Sequence, residues 1–255
     1  MSELLKLDTN KRLAYFLPNF FTALNMACGF VAMTYALTGR YYEACMLLIL
    51  GGIFDLVDGR VARLTGTQSN FGEQFDSLSD LLTFGVAPAF LFYTDFLKNF
   101  GRLGIIAAFM FILCGALRLA RFNANIEKVS SDYFQGLPIP SAAMGLVGYL
   151  LISQDFSYLR EYKPVAIAYV LFFAVLMVSS IPFPSFKKSE WVKKNKRVVF
   201  LIVMTIFASV FIYEQLMIAV IIWVYVIGSL IYYFMHRNRF KGIFDIDSDS
   251  DREKA

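Results

Sequence analysis

The chain has 255 residues, of which 58% are apolar and only 17% are charged, and it contains 27 phenylalanines. This composition excludes a large soluble domain and is typical of a protein that crosses a membrane several times. The formal net charge of +4 is too small to indicate nucleic-acid binding.

Apolar runs long enough to span a bilayer, about 20 residues each, recur along the whole chain. The fifth is interrupted by Pro138, Pro140 and Gly145. The N-terminus lacks the basic region and cleavage site of a signal peptide, so the first run is expected to stay as an anchor. The sequence therefore predicts an all-α, polytopic integral membrane protein with about eight transmembrane helices. These helices are predicted at 16–37, 44–63, 78–97, 104–122, 138–154, 164–182, 198–214 and 216–235.

The distribution of basic residues predicts which ends of the helices face the cytoplasm. With the N-terminus inside, the external loops hold five of the 24 Lys and Arg residues, and the other nineteen belong to the cytoplasmic side. The cytoplasmic set includes a run before the seventh helix and a cluster after the eighth: Lys187, Lys188, Lys193, Lys194, Lys196, Arg197, Arg237, Arg239 and Lys241. Both termini are therefore predicted to face the cytoplasm, together with the turn between the second and third helices.

Four aspartates lie at the predicted cytoplasmic ends of the second and third helices. Asp55 and Asp58 are i,i+3 neighbours, and Asp76 and Asp80 are i,i+4 neighbours. Each pair therefore lies on one face of its helix, where like charges repel. A carboxylate near the bilayer interior costs about 2.5–3.5 kcal/mol on insertion scales, so four unpaired ones would cost on the order of 10 kcal/mol. Bound cations are the simplest way to offset this charge.

The ligand chemistry favours Mg²⁺ or Mn²⁺, because the aspartates offer hard oxygen ligands without a nearby Cys or His. The alternative is an inert network of ion pairs with Arg60 and Arg63, but two arginines cannot neutralise four carboxylates. Two divalent ions at such a site can clamp a phosphoryl group and stabilise both the attacking and the leaving oxygen. The residues thus indicate metal-dependent chemistry on a phosphate-containing substrate at the cytoplasmic surface.

Small residues beside the first aspartate pair could open one face of the second helix. Gly59 has no side chain and Ala62 has a small one, so a nucleotide base or ribose could approach the backbone there. Tight helix packing explains such small residues equally well. Arg63, in the same segment, could bind a phosphate through two parallel hydrogen bonds.

The spacing of these residues is similar to the signature of the CDP-alcohol phosphotransferases, which it matches at every fixed position. The matching pattern is Asp55-x-x-Asp58-Gly59-x-x-Ala62-Arg63, eight residues, then Gly72-x-x-x-Asp76-x-x-x-Asp80. A further resemblance is to the phosphatidylserine synthases of that family, also called CDP-diacylglycerol-serine O-phosphatidyltransferases. It lies in segments 17–25, 84–88, 117–123, 135–141 and 179–187. The resemblance implies a six-helix family membrane domain (1–190), followed by two additional helices (191–236) and a cytoplasmic tail (237–255).

The resemblance also implies a role for each aspartate. Asp55, Asp58 and Asp76 would bind two divalent ions, Mg²⁺ or Mn²⁺. Asp80 would contribute to the second ion and would act as the general base. The serine hydroxyl, a poor nucleophile at neutral pH, would then attack the phosphorus on the lipid side of CDP-diacylglycerol, and CMP would leave.

Two further sets of residues would bind the substrates under this resemblance. The CDP pocket would be lined by Gly59, Ala62, Arg63 and Gly72. The cytoplasmic end of the fourth predicted helix carries Arg118, Arg121 and Asn123, with the two arginines three residues apart on one face. These side chains could hold the carboxylate of serine or a phosphate of the lipid. Anchoring to lipid headgroups is the alternative for arginines at a helix end.

The expected function is the synthesis of phosphatidylserine from CDP-diacylglycerol and L-serine. The nearest alternatives keep the chemistry but use glycerol 3-phosphate or inositol phosphate as acceptor, or an archaeal ether lipid as donor. A cation transporter is the alternative from a different class, but it would place carboxylates at mid-membrane depth on several helices. The expected partners are the two substrates, membrane lipids and a second copy of the chain in a homodimer, without nucleic acid.

Overall fold

The structure is a computed structural model of the chain, and it describes residues 9–124, 133–156, 158–161, 163–184 and 213–236, together with single positions between 195 and 212. These residues are almost entirely helical, which confirms the predicted all-α class. The predicted seventh helix (198–214) and the basic run 187–197 lie mostly outside the described residues. The cluster Arg237, Arg239 and Lys241 and the rest of the tail lie wholly outside them.

The helices and strands are numbered in chain order over the described residues. The helices are α1 (Thr9–Leu37), α2 (Tyr41–Thr65), α3 (Asn70–Asp80), α4 (Ala87–Phe92), α5 (Arg102–Ala124), α6 (Ile139–Asp155), α7 (Tyr158–Glu161), α8 (Lys163–Val178) and α9 (Glu214–Met235). The strands are β1 (Tyr133–Gln135) and β2 (Pro182–Pro184). The prolines near the start of the fifth predicted span do not interrupt it, because Pro140 occupies the first turn of α6, where proline is tolerated.

Four helical stretches of the described chain are long and apolar enough to cross a membrane. They are Phe16–Leu37, Asn70–Phe100, Arg102–Ala124 and Gln215–Met235. The second, fifth and sixth predicted spans correspond to α2, α6 and α8. The first of these carries charged residues at its C-terminal end, and the other two have 17 and 16 residues. The chain is therefore an integral membrane protein of mixed helix lengths.

The third span differs from the predicted range of 78–97, because it is continuous from Asn70 to Phe100. Between its α-helical parts, the segments Leu81–Val86 and Tyr93–Leu97 are π-helical. A π-helical turn is wider than an α-helical one and often occurs at functional sites. The first π-helical segment directly follows Asp80, so the residues beyond it face neighbours that regular α-helical spacing does not predict.

A four-residue turn joins α2 to α3 and brings the two aspartate-bearing helices side by side. Gly66 ends α2 in the left-handed conformation, with φ of 64°, and its N–H donates to the carbonyl of Ala62. A residue with a side chain is strained in that conformation. Ser69 then caps α3, because its hydroxyl oxygen accepts a 3.1 Å hydrogen bond from the N–H of Gly72. This turn corresponds to the segment near 65–71 that the sequence predicts.

Two short strands form an antiparallel pair that the sequence did not predict. Gln135 of β1 pairs with Pro182 of β2, and Tyr133 pairs with Pro184. Next to the pair, Gly136 has a φ of 77°, and its N–H donates to the carbonyl of Ile181 at 2.9 Å. Three-residue strands are too short for an alternating pattern, and β2 contains two prolines, so only pairing with the partner strand defines them.

Hydroxyl groups of the third span tie it to α1. The hydroxyl of Ser79 donates to the carbonyl of Thr22, and the hydroxyl of Thr83 donates to the carbonyl of Asn25, both at 3.0 Å. Such hydrogen bonds between buried helices add to apolar packing in a bilayer. They hold the aspartate-bearing part of α3 against the N-terminal half of α1.

Candidate active site

Three of the four aspartates meet where α2 and α3 lie side by side. Carboxylate oxygens of Asp55, Asp76 and Asp80 lie within 4.8 Å of one another, so all three could bind the same metal ion. The side chains of Asp55 and Asp80 also interact electrostatically with each other. Sequence spacing pairs the aspartates within each helix, whereas the fold groups one aspartate from α2 with two from α3.

The fourth aspartate, Asp58, is held by α1. Its Oδ2 accepts a 2.8 Å hydrogen bond from the hydroxyl of Thr22, and only 4% of the residue is exposed. Asp58 still interacts electrostatically with Asp55 and Asp76. The four carboxylates therefore form one negatively charged region, in which α1 orients one member and the helix pair orients the other three.

No basic side chain forms an ion pair with these aspartates in the part of the chain that the structure describes. The ion pairs found there are Arg40–Glu43 and Arg160–Asp95. Arg63 interacts with Asp58 only at longer range. The predicted alternative, an inert ion-pair network with Arg60 and Arg63, is therefore not the arrangement observed.

Two carboxylate oxygens of the group are buried without a hydrogen-bond partner. They are Oδ1 of Asp76 and Oδ1 of Asp80. A buried carboxylate oxygen needs compensation, because removing charge from water is costly. A compact set of carboxylate oxygens without sulfur or nitrogen ligands suits Mg²⁺ or Mn²⁺. The residues present therefore fit a site for divalent cations.

A cavity of about 150 Å³ lies beside the carboxylates, between α1, α2, α3 and the turn that follows α2. It is lined by Pro18, Asn19, Thr22, Asp58, Gly59, Ala62, Arg63, Thr67, Gln68, Ser69, Gly72, Glu73 and Asp76. All four residues predicted for the CDP pocket are on this list. The guanidinium of Arg63 lies over Gly59, because a Cβ at Gly59 would be 3.5 Å from Nη1 of Arg63. The fold thus gathers the small residues and the arginine around one opening.

Sequence reasoning gave no role to several residues that line this cavity. Pro18, Asn19 and Thr22 come from α1, where the sequence indicates only a family resemblance in segment 17–25. The signal was present in the sequence, because a threonine and an asparagine stand three residues apart in an otherwise apolar helix. The turn residues Thr67 and Gln68 had no such signal. Their contribution depends on how the turn folds over the cavity.

Arg118 is a buried basic residue near the carboxylates. It is 8% exposed and interacts electrostatically with Asp80, and its guanidinium lies 5.5 Å from the centre of the Phe122 ring. The long side chain is buried from α5 toward the aspartates instead of extending to lipid headgroups. Its environment therefore differs from the one expected of an anchoring arginine.

Arg121 and Asn123 are engaged by the protein itself. The guanidinium of Arg121 donates to the carbonyl oxygens of Val178 and Gln135, both at 3.0 Å, and so joins the end of α8 to β1. The side-chain amide of Asn123 donates to the hydroxyl of Ser77 at 2.9 Å, which joins α5 to α3. Arg118 and Arg121 thus point to different neighbours, although their spacing places them on one face of the helix.

An integral membrane fold with four clustered carboxylates beside a cavity defines a metal-dependent membrane enzyme for phosphate-containing substrates. The sequence model of the CDP-alcohol phosphatidyltransferase family matches residues 15–181. That match covers more than half of the chain. The protein therefore belongs to the CDP-alcohol phosphatidyltransferase family, whose members in general depend on divalent metals.

Several relatives carry names that describe a more specific activity. A Helicobacter pylori protein named CDP-diacylglycerol–serine O-phosphatidyltransferase is 36% identical over 86% of this chain and 95% of its own length. A Bacillus subtilis protein of the same name is 37% identical over 68% of this chain and 92% of its own length. An archaetidylserine synthase of Methanothermobacter thermautotrophicus is 37% identical over 66% of this chain and 69% of its own length.

Proposed function

We propose that this protein is a phosphatidylserine synthase, which transfers the phosphatidyl group of CDP-diacylglycerol to the hydroxyl of L-serine and releases CMP. The observation that carries the proposal is the carboxylate group of Asp55, Asp76 and Asp80, which forms no ion pair among the described residues and lies beside a cavity lined by the other signature residues. The names of the relatives, above all the one matched over 95% of its length, support serine as the acceptor.

The four aspartates would bind two divalent ions in this reaction. Asp55, Asp58 and Asp76 would be ligands, and Asp80 would complete the second ion's ligand set. The ions, when bound, would neutralise the diphosphate oxygens and make CMP a better leaving group. Thr22 supports this arrangement, because its hydroxyl fixes the orientation of the Asp58 carboxylate.

Asp80 would also be the general base. A carboxylate oxygen of Asp80 would take the proton from the serine hydroxyl while the serine oxygen forms its bond to phosphorus and the phosphorus–oxygen bond to CMP breaks. The phosphate groups gain one negative charge in the exchange, and the proton released from the serine hydroxyl balances it.

Two cationic side chains would hold the substrates. Arg63, beside Gly59, Ala62 and Gly72, would contact the CDP moiety in the cavity. Arg118 would bind the serine carboxylate, since its buried guanidinium interacts with Asp80 and leads away from the lipid surface. The substrate contacts predicted for Arg121 and Asn123 stay predictions. Both side chains already make hydrogen bonds within the protein.

The site would open toward the cytoplasm. Both termini would lie on the same side, because the basic residues are concentrated there. The lipid tails of CDP-diacylglycerol stay in the bilayer, so its diphosphate must be reached at the interface. The homodimer expected from the sequence stays a prediction.

An ether-lipid donor is the second candidate. It is favoured by one observation, the likeness to the archaetidylserine synthase. The two candidates share serine as the acceptor and differ only in the glycerol linkages of the lipid, which are far from the reacting phosphorus. A phosphorylated acceptor would need more cationic side chains near Asp80 than Arg118 provides.

A panel of acceptors and donors tests the proposal. CMP release from CDP-diacylglycerol and Mn²⁺ would be measured for L-serine, glycerol 3-phosphate and inositol phosphate, and then for L-serine with a CDP-activated ether lipid. We expect turnover with L-serine alone among the acceptors. Faster CMP release with a phosphorylated alcohol would refute the assignment of the acceptor. A preference for the ether lipid would move the protein to the second candidate.

A further inference from the structure

Asn25 of α1 is a buried amide with no hydrogen bond from its side chain. The residue is 0% exposed, and neither Oδ1 nor Nδ2 has a partner. Buried amides in folded proteins are almost always satisfied by protein groups or by an ordered water. In a helix that crosses a membrane, an unsatisfied amide is especially unfavourable. The side-chain amide of Asn25 therefore needs a hydrogen-bond partner other than the described side chains.

Asn25 lies where three helical segments meet. Its backbone carbonyl accepts the hydroxyl of Thr83 from the π-helical segment after Asp80. On the other side is α2, where a Cβ added to Gly51 would be 3.0 Å from Oδ1 of Asn25. The absence of a side chain at Gly51 is thus what makes room for the amide between the helices.

One turn away on each of these segments is a residue of the candidate active site. Thr22, which binds Asp58, is three residues before Asn25 on α1. Asp55 is four residues after Gly51 on α2, and Asp80 is three residues before Thr83. Residues three or four apart lie on the same face of a helix. Asn25 therefore forms the floor of the site, one turn below its carboxylates.

The spacing suits one bridging water. A helical turn rises about 5.4 Å, and a water that accepts one hydrogen bond and donates another, each about 2.8 Å long, spans about the same distance. Oδ1 of Asp80, which is buried without a partner, offers an acceptor for such a water.

We propose that Asn25 is a positioning residue, whose Nδ2–H donates to a buried water that in turn donates to Oδ1 of Asp80. The water holds the Asp80 carboxylate, which lies within 4.8 Å of the Asp55 and Asp76 carboxylates, in the orientation that binds a divalent cation. Outer hydrogen bonds of this kind typically change metal affinity about 10- to 100-fold when they are removed. The inference rests on the proposed function, because it assigns Asn25 to the same metal-binding carboxylates.

The test is the substitution Asn25→Leu, which keeps the branching and the number of heavy atoms and removes the amide. Mn²⁺ binding to the purified protein would be measured by the paramagnetic signal of free Mn²⁺, and thermal unfolding would be measured in EDTA. We expect Mn²⁺ affinity to fall about tenfold or more. We also expect the metal-free protein to unfold within about 2 °C of the unmodified protein, because the water-mediated hydrogen bond orients a metal ligand and does not join helices. A purely structural amide predicts the reverse, with a lower unfolding temperature and unchanged affinity.

Two further variants keep the test decisive. Thr83→Val removes a hydroxyl from the same junction without touching the amide, so it should lower the unfolding temperature and leave Mn²⁺ affinity within about twofold of the unmodified protein. Asn25→Ser keeps a hydrogen-bonding group and should retain more Mn²⁺ affinity than Asn25→Leu. If both Asn25 variants bind Mn²⁺ as Thr83→Val does, the inference is wrong. If the unmodified protein does not bind Mn²⁺, the proposed function fails and this inference fails with it.

Discussion

The aspartates at the two ends of the third membrane span differ in whether they have an ion-pair partner among the described residues. At one end, Asp95 forms a 2.9 Å ion pair with Arg160, whose Nε also donates to the carbonyl of Ser153. At the other end, Asp76 and Asp80 lie with Asp55 and have no ion-pair partner among the described residues. The same helical stretch therefore carries a neutralised carboxylate and a set of unneutralised ones.

This contrast separates a structural charge from a functional one. Where a carboxylate is only structural, as at Asp95, an arginine pairs with it at short distance. A carbonyl oxygen in turn accepts a hydrogen bond from that arginine. Where four carboxylates converge, the described residues instead supply one hydroxyl, from Thr22, and longer-range electrostatic contacts from Arg63 and Arg118. A region left with excess negative charge near a bilayer is stable only if cations arrive from solution. The missing partner at the candidate site is thus itself an indication of function.

Removing metal gives the largest effect that the comparison predicts. EDTA should abolish CMP release, and Mn²⁺ or Mg²⁺ should restore it, because the carboxylates form no ion pair with a described basic side chain. Calcium should compete for the site without supporting good turnover, since its longer bonds and looser ligand shell suit an in-line displacement poorly. Rates in EDTA followed by titration with each cation would check this. An undiminished rate in EDTA would disprove the account of the aspartate cluster.

Neutralising one aspartate at each end comes next in size. Asp80→Asn should lower kcat by about 10²–10⁴-fold, because the general base is lost while most metal ligands remain. CDP-diacylglycerol binding should be largely intact. The matched control Asp95→Asn should leave kcat within about threefold, because that residue is only an ion-pair partner. Turnover assays on both folded variants decide, and equal losses at the two ends would contradict the division of roles.

Substitution of Arg118 should have an intermediate effect. Arg118→Ala should raise the KM for serine far more than the KM for CDP-diacylglycerol, with a loss in kcat/KM of about tenfold to hundredfold, since a charge-assisted hydrogen bond is worth about 1.5–3 kcal/mol. Arg118→Lys should recover only part of it, because an ammonium lacks the planar fork of a guanidinium.

Arg121→Ala provides the control on the same helix. Because its guanidinium joins the end of α8 to β1, we expect a lower unfolding temperature and similar small changes in both KM values. Serine saturation curves at fixed high CDP-diacylglycerol would compare the variants. A KM increase confined to serine in Arg121→Ala would restore the original prediction that both arginines hold the acceptor. An increase confined to the lipid donor in Arg118→Ala would move that arginine to the diphosphate.

Breaking the ion pair at the opposite end should affect stability and not chemistry. Arg160→Met removes the charge and the hydrogen bond but keeps much of the apolar side chain beside Phe96. We expect a loss of about 1–2 kcal/mol, less than for a fully buried pair, because the Arg160 side chain is 39% exposed. Thermal unfolding with and without Mn²⁺ would measure it. A large change in Mn²⁺ affinity would mean that the two ends are coupled.

The smallest expected effects come from substitutions of two glycines of α2. A Cβ at Gly59 would make ordinary contact with Arg63, so Gly59→Ala should leave stability unchanged or slightly higher and raise the KM for CDP-diacylglycerol severalfold. A Cβ at Gly51 would come within 3.0 Å of Asn25 and Thr83, so Gly51→Ala should lower the unfolding temperature first. Unfolding and saturation curves on both variants test whether Gly59 is kept for the substrate or, as the alternative has it, for helix packing.

The sequence by itself determined the class of the protein and its chemistry. Membrane helices follow from apolar length alone, and the family signature depends on residues that are near one another in the chain, such as Asp55 and Asp58 on one helix face. The turn between α2 and α3 was also predictable, because Gly66 and Ser69 are local signals for ending one helix and starting the next. Local physics decides each of these features.

Only the tertiary structure decided which residues share the site. Sequence spacing places Arg118 and Arg121 on one face, but burial directs the first toward Asp80 and the carbonyls at the end of α8 engage the second. The same holds for Thr22, which reaches Asp58 only because α1 packs against α2 and the third span. Helical periodicity fixes which face a side chain is on, whereas the crossing of helices and the π-helical turn after Asp80 fix what that face meets.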